Sequence, residues 1–311
     1  MMPAVSVIIL VHKVEEYIER CARGLFCQTL EDIEYIFVDD CTPDASMEIL
    51  ERVLEEFPHR RSQVRIMRNE VNRGQAYCRR MGVAAATGEY IIHCDSDDWP
   101  EPEIYARMYA KAREESLDMV ICTMRRIYTD RVRTLQEITH TDDLVESLLY
   151  MDIRHYLCNK LVARRIYDNP IIWPEKNMCE DSALSVQLAY YSHSWGFVDE
   201  VLYNYNFIPE SISSGINSME KVEQIRANID LVISFLESKG LGRKYARPIM
   251  HLKCWTKIAA FRLPRKYYLN LYPEGNLPLF TDSRFTAAER LGHLTKVLGV
   301  HGVSKLFTRK R

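Results

Sequence analysis

The sequence predicts an α/β protein in which a mostly parallel sheet is flanked by helices, followed by a helical C-terminal extension. Short apolar runs rich in β-branched residues alternate with segments whose apolar residues recur every three or four positions. This alternation is typical of parallel strands joined by right-handed helical crossovers. Two of the apolar runs end in carboxylates, and open α/β sheets bind their ligands at the carboxyl ends of strands.

The individual elements follow from these patterns. Five apolar runs are too short for helices and are predicted to be strands, over residues 5–11, 33–38, 64–68, 90–94 and 118–123. Amphipathic helices are predicted over residues 15–28, 45–56, 73–87 and 102–115. We expect Asp44 to cap the second helix and Gly88 to end the third. Trp99 and Pro100 are expected to stop the extended chain and to lead into the fourth helix.

Three carboxylates follow the strand at residues 90–94, namely Asp95, Asp97 and Asp98. Packed together without partners they would repel one another, and a bound cation would relieve this repulsion. Hard oxygen ligands at Asp95 and Asp97 suit Mg²⁺ or Mn²⁺ carrying phosphate. The alternative is an acidic surface turn. The strand at residues 33–38 also ends in acids, Asp39 and Asp40, and this repetition favours a site for a metal and a nucleotide.

Composition places the chain among ordinary globular proteins. Its 311 residues suggest about two domains, and 47% hydrophobic with 27% charged residues is normal usage. The net charge of −2 argues against a nucleic-acid partner, because such partners are bound by a basic field.

Cysteine usage and the lack of targeting signals predict a cytoplasmic protein. Nine cysteines, an odd number without a Cys-x-x-Cys pair, argue for reduced thiols rather than a disulfide framework or a zinc site. The N-terminus lacks a basic region followed by a long apolar core, so no signal peptide is expected. No apolar run reaches the ~18 residues that a membrane span needs.

Several motifs, taken in order and spacing, resemble the inverting glycosyltransferases of family 2, which belong to the nucleotide-diphospho-sugar transferases and have the Rossmann-like GT-A fold. The motifs are residues 5–9, Gln28-Thr29, 32–40, Asn72-Arg-Gly74, Arg79, 86–91 and 95–99. Weaker similarity continues through 158–161, Glu180-Asp181, 202–205 and Ser211-Ile-Ser213. The resemblance implies a catalytic domain over residues 1–215, with a nucleotide-sugar-binding half (1–125) and an acceptor-side half (126–215). Residues 216–311 would form a separate helical region.

The resemblance assigns donor and metal roles to the two acidic strand ends. Asp40 would accept a hydrogen bond from the uracil base, for which a carboxylate is suited; the alternative is a turn aspartate. Asp97 would be the principal metal ligand, and Asp95 would contact the metal or the ribose. Asp98 would lie beside these ligands or cap the next helix. Further donor contacts are implied at Val11, Ser96 and Arg79; Arg79 would contact the nucleotide, pair with Asp95 or be a solvated helix residue.

The resemblance assigns catalysis to Asp181. Inverting transfer needs one carboxylate to take the proton from an acceptor hydroxyl while that hydroxyl attacks the anomeric carbon. Glu180 is expected to orient the acceptor. The local alternative is an ordinary pair of acids at a helix N-terminus. Four aromatic residues could build a sugar-stacking wall or belong to the core: Trp173, Tyr190, Tyr191 and Trp195.

The sequence departs from the family pattern around the base-binding edge. Residues 10–13 replace the usual Pro-x-Tyr-Asn, so that His12 stands where an aromatic residue often lies against the base. Arg80 replaces the usual Asn, and Cys41 replaces the usual Gly. These changes affect the expected identity of the donor more than the expected fold.

The sequence therefore predicts a metal-dependent inverting glycosyltransferase that uses Mn²⁺ or Mg²⁺ and a nucleotide-sugar donor, with a UDP-sugar preferred. The expected acceptor is a saccharide or a lipid-linked sugar of surface polysaccharide synthesis. Helices are predicted over 219–239, 248–261 and 286–311, and the last ends in Arg309-Lys-Arg311. This basic amphipathic end could lie on the cytoplasmic face of a membrane, pack on the catalytic domain, or join a homodimer. The alternatives are a non-catalytic nucleotide-sugar-binding scaffold and, ranked last, a nucleotidyltransferase.

Overall fold

The computed structural model describes residues 2–209 and 218–299. Its strands are β1 (Val5–Val11), β2 (Ile33–Asp39), β3 (Val64–Arg68), β4 (Tyr90–Asp95), β5 (Trp99–Pro100), β6 (Met119–Ile127), β7 (Val132–Leu135), β8 (Lys160–Ala163) and β9 (Trp195–Asn206). Its α-helices are α1 (Ile18–Phe26), α2 (Ser46–Glu55), α3 (Gln75–Ala85), α4 (Ile104–Glu114), α5 (Leu144–Leu149), α6 (Glu180–Tyr191), α7 (Met219–Ser238), α8 (Ala246–Ala259), α9 (Arg265–Asn270), α10 (Pro278–Thr281) and α11 (Ala287–Leu298). Short 3₁₀ turns cover Pro58–Gln63, Arg164–Asp168 and Pro273–Gly275.

All the strands join one sheet in the order β3-β2-β1-β4-β8-β6-β9-β5, and β7 pairs with the outer part of β6. The first four strands pair in parallel, as the alternation of strands and helices predicts. The second half is mixed, because β8 runs antiparallel between β4 and β6 while β9 runs parallel to β6. The predicted α/β fold class is confirmed. Each antiparallel pairing involves β5, β7 or β8, three strands that the sequence patterns do not predict.

The core lies on both faces of the central strands. Alternate residues of β1 belong to different apolar clusters: Val7 and Ile9 pack with α1, α2 and α4, whereas Ile8 packs with α3. These β1 side chains are fully buried. Burial on both faces explains why the strand is an unbroken apolar run rather than an alternating one.

The structure corrects the roles expected for the residues at two helix boundaries. Asp44 is not the N-cap of α2, which is Ala45; the Asp44 carboxylate instead accepts hydrogen bonds from Ser46 and from the backbone of Glu15, so it ties two loops together. Trp99 and Pro100 do not end the extended chain. They form the short strand β5 against β9, and α4 begins only at Ile104.

Gly88 does not end α3 in a left-handed conformation, since the helix stops at Ala85 and the next residue, Ala86, is extended. Gly88 instead allows the chain to approach β1 closely. The Gly88 N–H donates to Ser6 Oγ at 2.8 Å, and a Cβ at position 88 would stand 2.7 Å from the Ser6 backbone nitrogen. No real Cβ tolerates that contact, so the loop or the strand would have to move.

We therefore expect Gly88→Ala to lower the free energy of unfolding by about 1–3 kcal/mol, the usual cost of overpacking a fitted interior. Urea denaturation of the purified protein measures this change. Gly242→Ala is the matched control, because a Cβ there would meet the flexible side chain of Glu237 at 3.1 Å. Equal stability of both variants and the wild type would contradict the role given to Gly88.

The described C-terminal helices pack onto the rest of the chain. Phe235 of α7 contacts Tyr190 of α6 with ring centroids 5.2 Å apart, and His251 of α8 contacts Tyr150 beside α5 at 5.5 Å. Arg284 pairs with Asp152 at 2.8 Å. Of the arrangements expected for the C-terminal region, residues 218–299 therefore show packing on the preceding part of the chain.

The last predicted helix, over residues 286–311, begins as expected. Its described part, α11, ends at Leu298. α11 starts with a capping box between Thr286 and Glu289, and Gly299 adopts a left-handed conformation at its end. It exposes a stripe of leucines at Leu291, Leu294 and Leu298. The rest of the predicted helix, with Val303, Leu306, Phe307 and the basic end Arg309-Lys-Arg311, lies outside the described residues. Among the helices that the structure describes, none has the length and apolarity to cross a membrane.

Candidate active site

The parallel strands deliver the predicted acidic residues to one edge. The register pairs Val11 of β1 with Asp39 of β2, and Leu10 of β1 with Asp95 of β4. Asp40 and Asp95 therefore lie on either side of the end of β1. Val11 is fully buried and its carbonyl accepts from the Asp40 N–H at 3.0 Å. The Val11 backbone thus supports Asp40, and because the side chain is buried, the donor contact expected at Val11 stays a prediction for its backbone.

Asp40 is almost fully buried and holds the loop before α3. Its Oδ1 accepts from the backbone of Arg73 at 2.7 Å and from Asn69 at 2.8 Å, and its Oδ2 accepts from the backbone of Gly74 at 2.8 Å. Burial alone would raise the pKa of Asp40, but these three hydrogen bonds lower it overall. The Cys78 thiol is a fourth donor to Asp40, so the roughly four acceptor directions of the ionised carboxylate are occupied, and an imide N–H would have to take the place of this weak thiol donor.

The departures from the family pattern have a structural account here. Cys41, which stands where a glycine is usual, has φ +54°, in the left-handed region that favours glycine. The His12 ring donates from Nδ1 to the carbonyl of Asp40 at 3.1 Å and accepts at Nε2 from Asn72 at 3.0 Å. His12 ties together the two loops beside which a base would lie.

The second acidic group forms a tight turn after β4. The N–H of Asp98 donates to the carbonyl of Asp95 at 3.0 Å, and Ser96 is buried between them. Asp98 is 1% exposed; its Oδ1 accepts from the backbone of Asn206 at 2.7 Å, and its buried Oδ2 has no partner among the described residues. Asp98 does not cap α4, whose N-cap is Glu103. β9 instead holds Asp98 in place.

The carboxyl groups of Asp95, Asp97 and Asp98 have too few positively charged neighbours to balance their burial and mutual repulsion. Burial raises the pKa of Asp95, although Arg79 opposes the shift, and 41% of the Asp95 side chain is exposed in the cleft. Burial and then the Asp95 charge raise the pKa of Asp97 to about 6. Burial, followed by the charges of Asp97 and Asp95, raises the pKa of Asp98 well above its usual range. A divalent cation would reverse all three shifts.

One group of candidate ligand atoms converges within 4.8 Å in the described part of the chain: Asp95, Asp98 and Cys158. Asp97, the expected principal ligand, is half-buried in the same turn but outside this group. The carboxylate oxygens fit a hard cation such as Mg²⁺ or Mn²⁺. Cys158 fits it poorly, because burial raises the pKa of its thiol well above the usual range and thiolate is a soft ligand. The oxygen donors present therefore suit the expected metal.

A buried ion pair joins the acidic turn to α6. Arg79 of α3 is 5% exposed and donates to Glu180 Oε1 at 3.0 Å, with Asp95 Oδ1 at 3.8 Å. The pairing with Asp95 is one of the expected alternatives, and the solvated arginine is wrong. Gln75 donates to Glu180 Oε2 at 2.8 Å. Each oxygen of the buried Glu180 thus accepts one hydrogen bond from the protein, and its expected contact with an acceptor stays a prediction.

Asp181 stands in the first turn of α6 and is half-buried. Its Oδ1 accepts from the backbone of Ser182 at 2.7 Å, and its Oδ2 accepts no hydrogen bond from the described residues. After burial and Arg79, the Asp181 charge is the next influence on the pKa of both Asp95 and Glu180. A half-buried carboxylate therefore lies close enough to the acidic turn and to the Arg79–Glu180 pair for its charge to act on both.

Several supporting residues carried no sequence signal. Asn177 accepts at Oδ1 from the Ala76 N–H at 3.2 Å and so caps α3 from a distant loop. Buried Lys160 donates to the carbonyls of Arg154 and Tyr156, at 2.6 and 2.7 Å, which fixes the loop beside α6. Such contacts join residues far apart in sequence, so local patterns could not reveal them.

The expected sugar-stacking wall does not form as a unit. Trp173 stacks on Tyr167, whereas Tyr190 and Tyr191 pack on Phe235 in the core. Trp195 and Tyr190 line a surface cavity of about 300 Å³. Tyr190 is at the other end of α6, roughly 14 Å along the helix axis from Asp181. The core alternative is confirmed for the two tyrosines.

Comparison with known proteins gives the same family as the sequence motifs. Residues 6–172 match the family described as glycosyl transferase family 2. EpsH of Bacillus subtilis, named as a glycosyltransferase, is 31% identical over 221 residues, which span 68% of this chain and 62% of EpsH. EpsJ of the same organism, also named as a glycosyltransferase, is 28% identical over 253 residues, 78% of this chain and 72% of EpsJ. The chain thus covers less than two thirds of the length of EpsH.

Two groups of solved structures share the fold. TarS of S. aureus in complex with UDP-GlcNAc superposes with a TM-score of 0.62 at 17% identity, covering 95% of this chain and 92% of the TarS chain. The mannosyltransferase PcManGT of Pyrobaculum calidifontis, in complex with GDP-Man and Mn²⁺, gives a TM-score of 0.55 at 14% identity, covering 99% of this chain and 84% of PcManGT. At these identities the likeness concerns the fold, which is the GT-A fold expected from the sequence.

Proposed function

Because the chain belongs to glycosyl transferase family 2, we propose that it moves a sugar from a nucleotide-diphosphate donor to a hydroxyl of an acceptor, with inversion at the anomeric carbon. One observation carries this proposal. Asp181 is a half-buried carboxylate whose Oδ2 accepts no hydrogen bond from the described residues, and it follows Glu180, which Arg79 links to Asp95 of the acidic turn. Inverting transfer needs a base and a diphosphate site as neighbours.

In this proposal Asp181 Oδ2 takes the proton of the acceptor hydroxyl. The hydroxyl oxygen then forms the new bond to the anomeric carbon as the bond to the diphosphate breaks on the opposite face. Glu180 and Arg79 act as positioning residues, since they hold the start of α6 against the turn at Asp95. His155, whose pKa burial lowers to about 4, stays neutral and contacts Ser182 Oγ at 2.9 Å.

The donor is proposed to be a UDP-sugar bound at the carboxyl edge. Asp40 would receive the uracil imide N–H in place of the weak hydrogen bond from the Cys78 thiol, and Ser96 would face the ribose or diphosphate. Mg²⁺ or Mn²⁺ would be held by Asp97 and Asp95, and when bound it would offset the charge that develops on the leaving diphosphate. TarS in complex with UDP-GlcNAc supports the choice of nucleotide, and PcManGT with GDP-Man and Mn²⁺ keeps GDP as the competing choice.

The proposed acceptor is a saccharide or lipid-linked sugar made at the cytoplasmic face of a membrane, as in surface polysaccharide synthesis. The exposed leucine stripe of α11 supports contact with such a membrane, and the sequence that follows is basic over residues 309–311. A homodimer through the same stripe is the competing arrangement.

Turnover of donors tests the proposed function. The purified chain is incubated with Mn²⁺ and UDP-GlcNAc, UDP-glucose, UDP-galactose or GDP-mannose, with and without a mixture of simple saccharides, and release of nucleoside diphosphate is followed. We expect release from one UDP-sugar, faster with an acceptor present. Binding of a nucleotide sugar without any turnover, in every mixture, would favour the non-catalytic scaffold.

A further inference from the structure

A cationic and aromatic cluster lies at the carboxyl ends of β6 and β9, and none of the assigned roles uses it. We call it the Arg126 cluster; its members are Arg126, Tyr128, Tyr156, Tyr205 and Phe207. The Arg126 guanidinium lies 5.0 Å from the ring centre of Tyr205 and 5.7 Å from that of Phe207. It donates to the Tyr156 hydroxyl at 2.9 Å. Tyr156 and Tyr205 contact each other at 5.7 Å, and Tyr128 and Phe207 at 4.8 Å.

The charge of Arg126 has no carboxylate partner in the part of the chain that the structure describes. Its neighbour Arg125 pairs with Glu101 at 2.6 Å, whereas Arg126 forms no ion pair with those residues and its buried Nε has no hydrogen-bond acceptor among them. A partly buried charge is costly unless it is paired. Burial lowers the pKa of Arg126, but the surrounding tyrosines, Tyr156 first, raise it overall, so hydroxyls and ring faces rather than a carboxylate hold this charge.

The opposite strand adds positive charge instead of removing it. Arg133 of β7 lies directly across from Arg126 in the antiparallel ladder, so both side chains leave the same face of the sheet. Like charges in this arrangement destabilise a sheet. Burial alone would raise the pKa of Tyr128, but the charges of Arg126 and Arg131 lower it overall. Arg131 pairs with Asp130 at 3.5 Å, so the charges on this hairpin that an anion would neutralise are those of Arg126 and Arg133.

The cluster is next to the proposed base. After burial and Arg126, the Asp181 charge is the next influence on the pKa of Tyr156, and His155 touches Ser182, which follows Asp181. On the other side, Asn206 follows Tyr205 and donates to Asp98. The Arg126 cluster therefore lies on the acceptor-side half, within reach of a molecule whose hydroxyl is at Asp181.

We propose that the Arg126 cluster is an anion-binding subsite for the acceptor, which carries a phosphate or carboxylate group near the hydroxyl that is glycosylated. This inference rests on the proposed function for the identity of the ligand. A guanidinium matches such groups with two parallel N–H donors. Tyr205 and Phe207 would contact the apolar face of the attached sugar or polyol. A neutral acceptor would leave Arg126 without its counter-charge.

Direct binding measurements test the subsite without relying on catalysis. Glycerol 3-phosphate, glucuronate and neutral glucose are titrated into the wild type, Arg126→Gln and the control Arg65→Gln, which removes an exposed arginine on β3. We expect at least one anionic probe to bind the wild type and Arg65→Gln more tightly than glucose does. Arg126→Gln should weaken that probe roughly 10-fold or more, as for loss of charged hydrogen bonds.

The donor diphosphate is the other source of a phosphate at this edge. UDP with Mn²⁺ is therefore titrated into the same proteins, and we expect its affinity to be equal in wild type and Arg126→Gln. Weaker UDP binding with unchanged anionic probes would overturn the acceptor subsite, as would equal binding of all probes or no anion binding at all. Arg126→Lys, which keeps the charge, replaces Arg126→Gln if the latter does not fold, and the lysine should retain preference for anionic probes.

Failure of the subsite and failure of the proposed function give different results. Asp181→Asn should bind the anionic probes as the wild type does, because it leaves the Arg126 cluster intact. A protein that turns over donors but shows no anionic preference would retain the function and lose the subsite. A protein that binds the probes at Arg126 without any donor turnover would retain an anion site and lose the enzyme.

Discussion

Asp181→Asn is expected to lower the rate of sugar transfer by about 10²–10⁴-fold, the usual contribution of a general base. The asparagine keeps the size of the side chain and can still accept from the Ser182 N–H through its oxygen. It cannot take a proton from an acceptor hydroxyl at neutral pH. Steady-state rates of nucleoside diphosphate release, measured with a donor and acceptor that the wild type uses, give the effect.

The same experiment separates a chemical role from a structural one. Donor affinity should stay within about 2-fold of the wild type, since a base that contacts only the acceptor adds little to donor binding. Asp168→Asn is the matched control, because Asp168 is also an aspartate but is largely exposed and lies in the turn at Arg164–Asp168. Full activity in Asp181→Asn would place the base elsewhere.

Arg79→Met is expected to lower the free energy of unfolding by about 3–5 kcal/mol, the cost of leaving a buried charge without its partner. Glu180 is 3% exposed and would lose the guanidinium at 3.0 Å. Burial already raises the pKa of Glu180, and Arg79 opposes this rise, so its removal favours protonation of the carboxylate in the folded protein. Chemical denaturation measures the loss.

A double-mutant cycle identifies the pair as the cause. Glu180→Gln should cost less than Arg79→Met, since Arg79 keeps Asp95 at 3.8 Å and the substituted glutamine can still accept from Gln75. The double variant should be more stable than the sum of the two single losses implies, because neither charge is then left alone. Additive losses would contradict a direct interaction and would assign the cost to packing.

The parallel half of the fold was open to prediction because each of its strands is a continuous apolar run between amphipathic helices. The strand β8 could not be predicted in this way. It is only four residues long (Lys160–Ala163), and it pairs with β4 and β6, which lie far earlier in the sequence. Trp99 and Pro100 read locally as a stop, yet an edge strand accepts a proline. Pairing with β9 decides their conformation.

The site residues also fall into two groups: those that local sequence patterns indicate and those that depend on tertiary contacts. Asp40, Asp95 and Asp97 were identified because they follow apolar strands, which is a local signal. The burial of Glu180 depends on Arg79, a residue 101 positions away, and the partners of Asp98 depend on Asn206. Motifs can indicate which carboxylates share an edge, but tertiary packing decides which oxygen stays free. In this case Glu180 is buried and accepts a hydrogen bond at both oxygens, whereas Asp181 is half-buried and accepts one, at Oδ1, from the described residues.

Thermal stabilisation by nucleotides tests the central claim most directly. Melting temperatures are measured with UDP, GDP, CMP and dTDP, each with and without Mn²⁺, for the wild type and Asp97→Asn. A ligand that binds only the folded state stabilises it by about 2.7 kcal/mol at 100 times its dissociation constant. We expect UDP to stabilise the wild type only with Mn²⁺, and Asp97→Asn to lose this effect. A folded wild type that responds to no nucleotide would contradict the account.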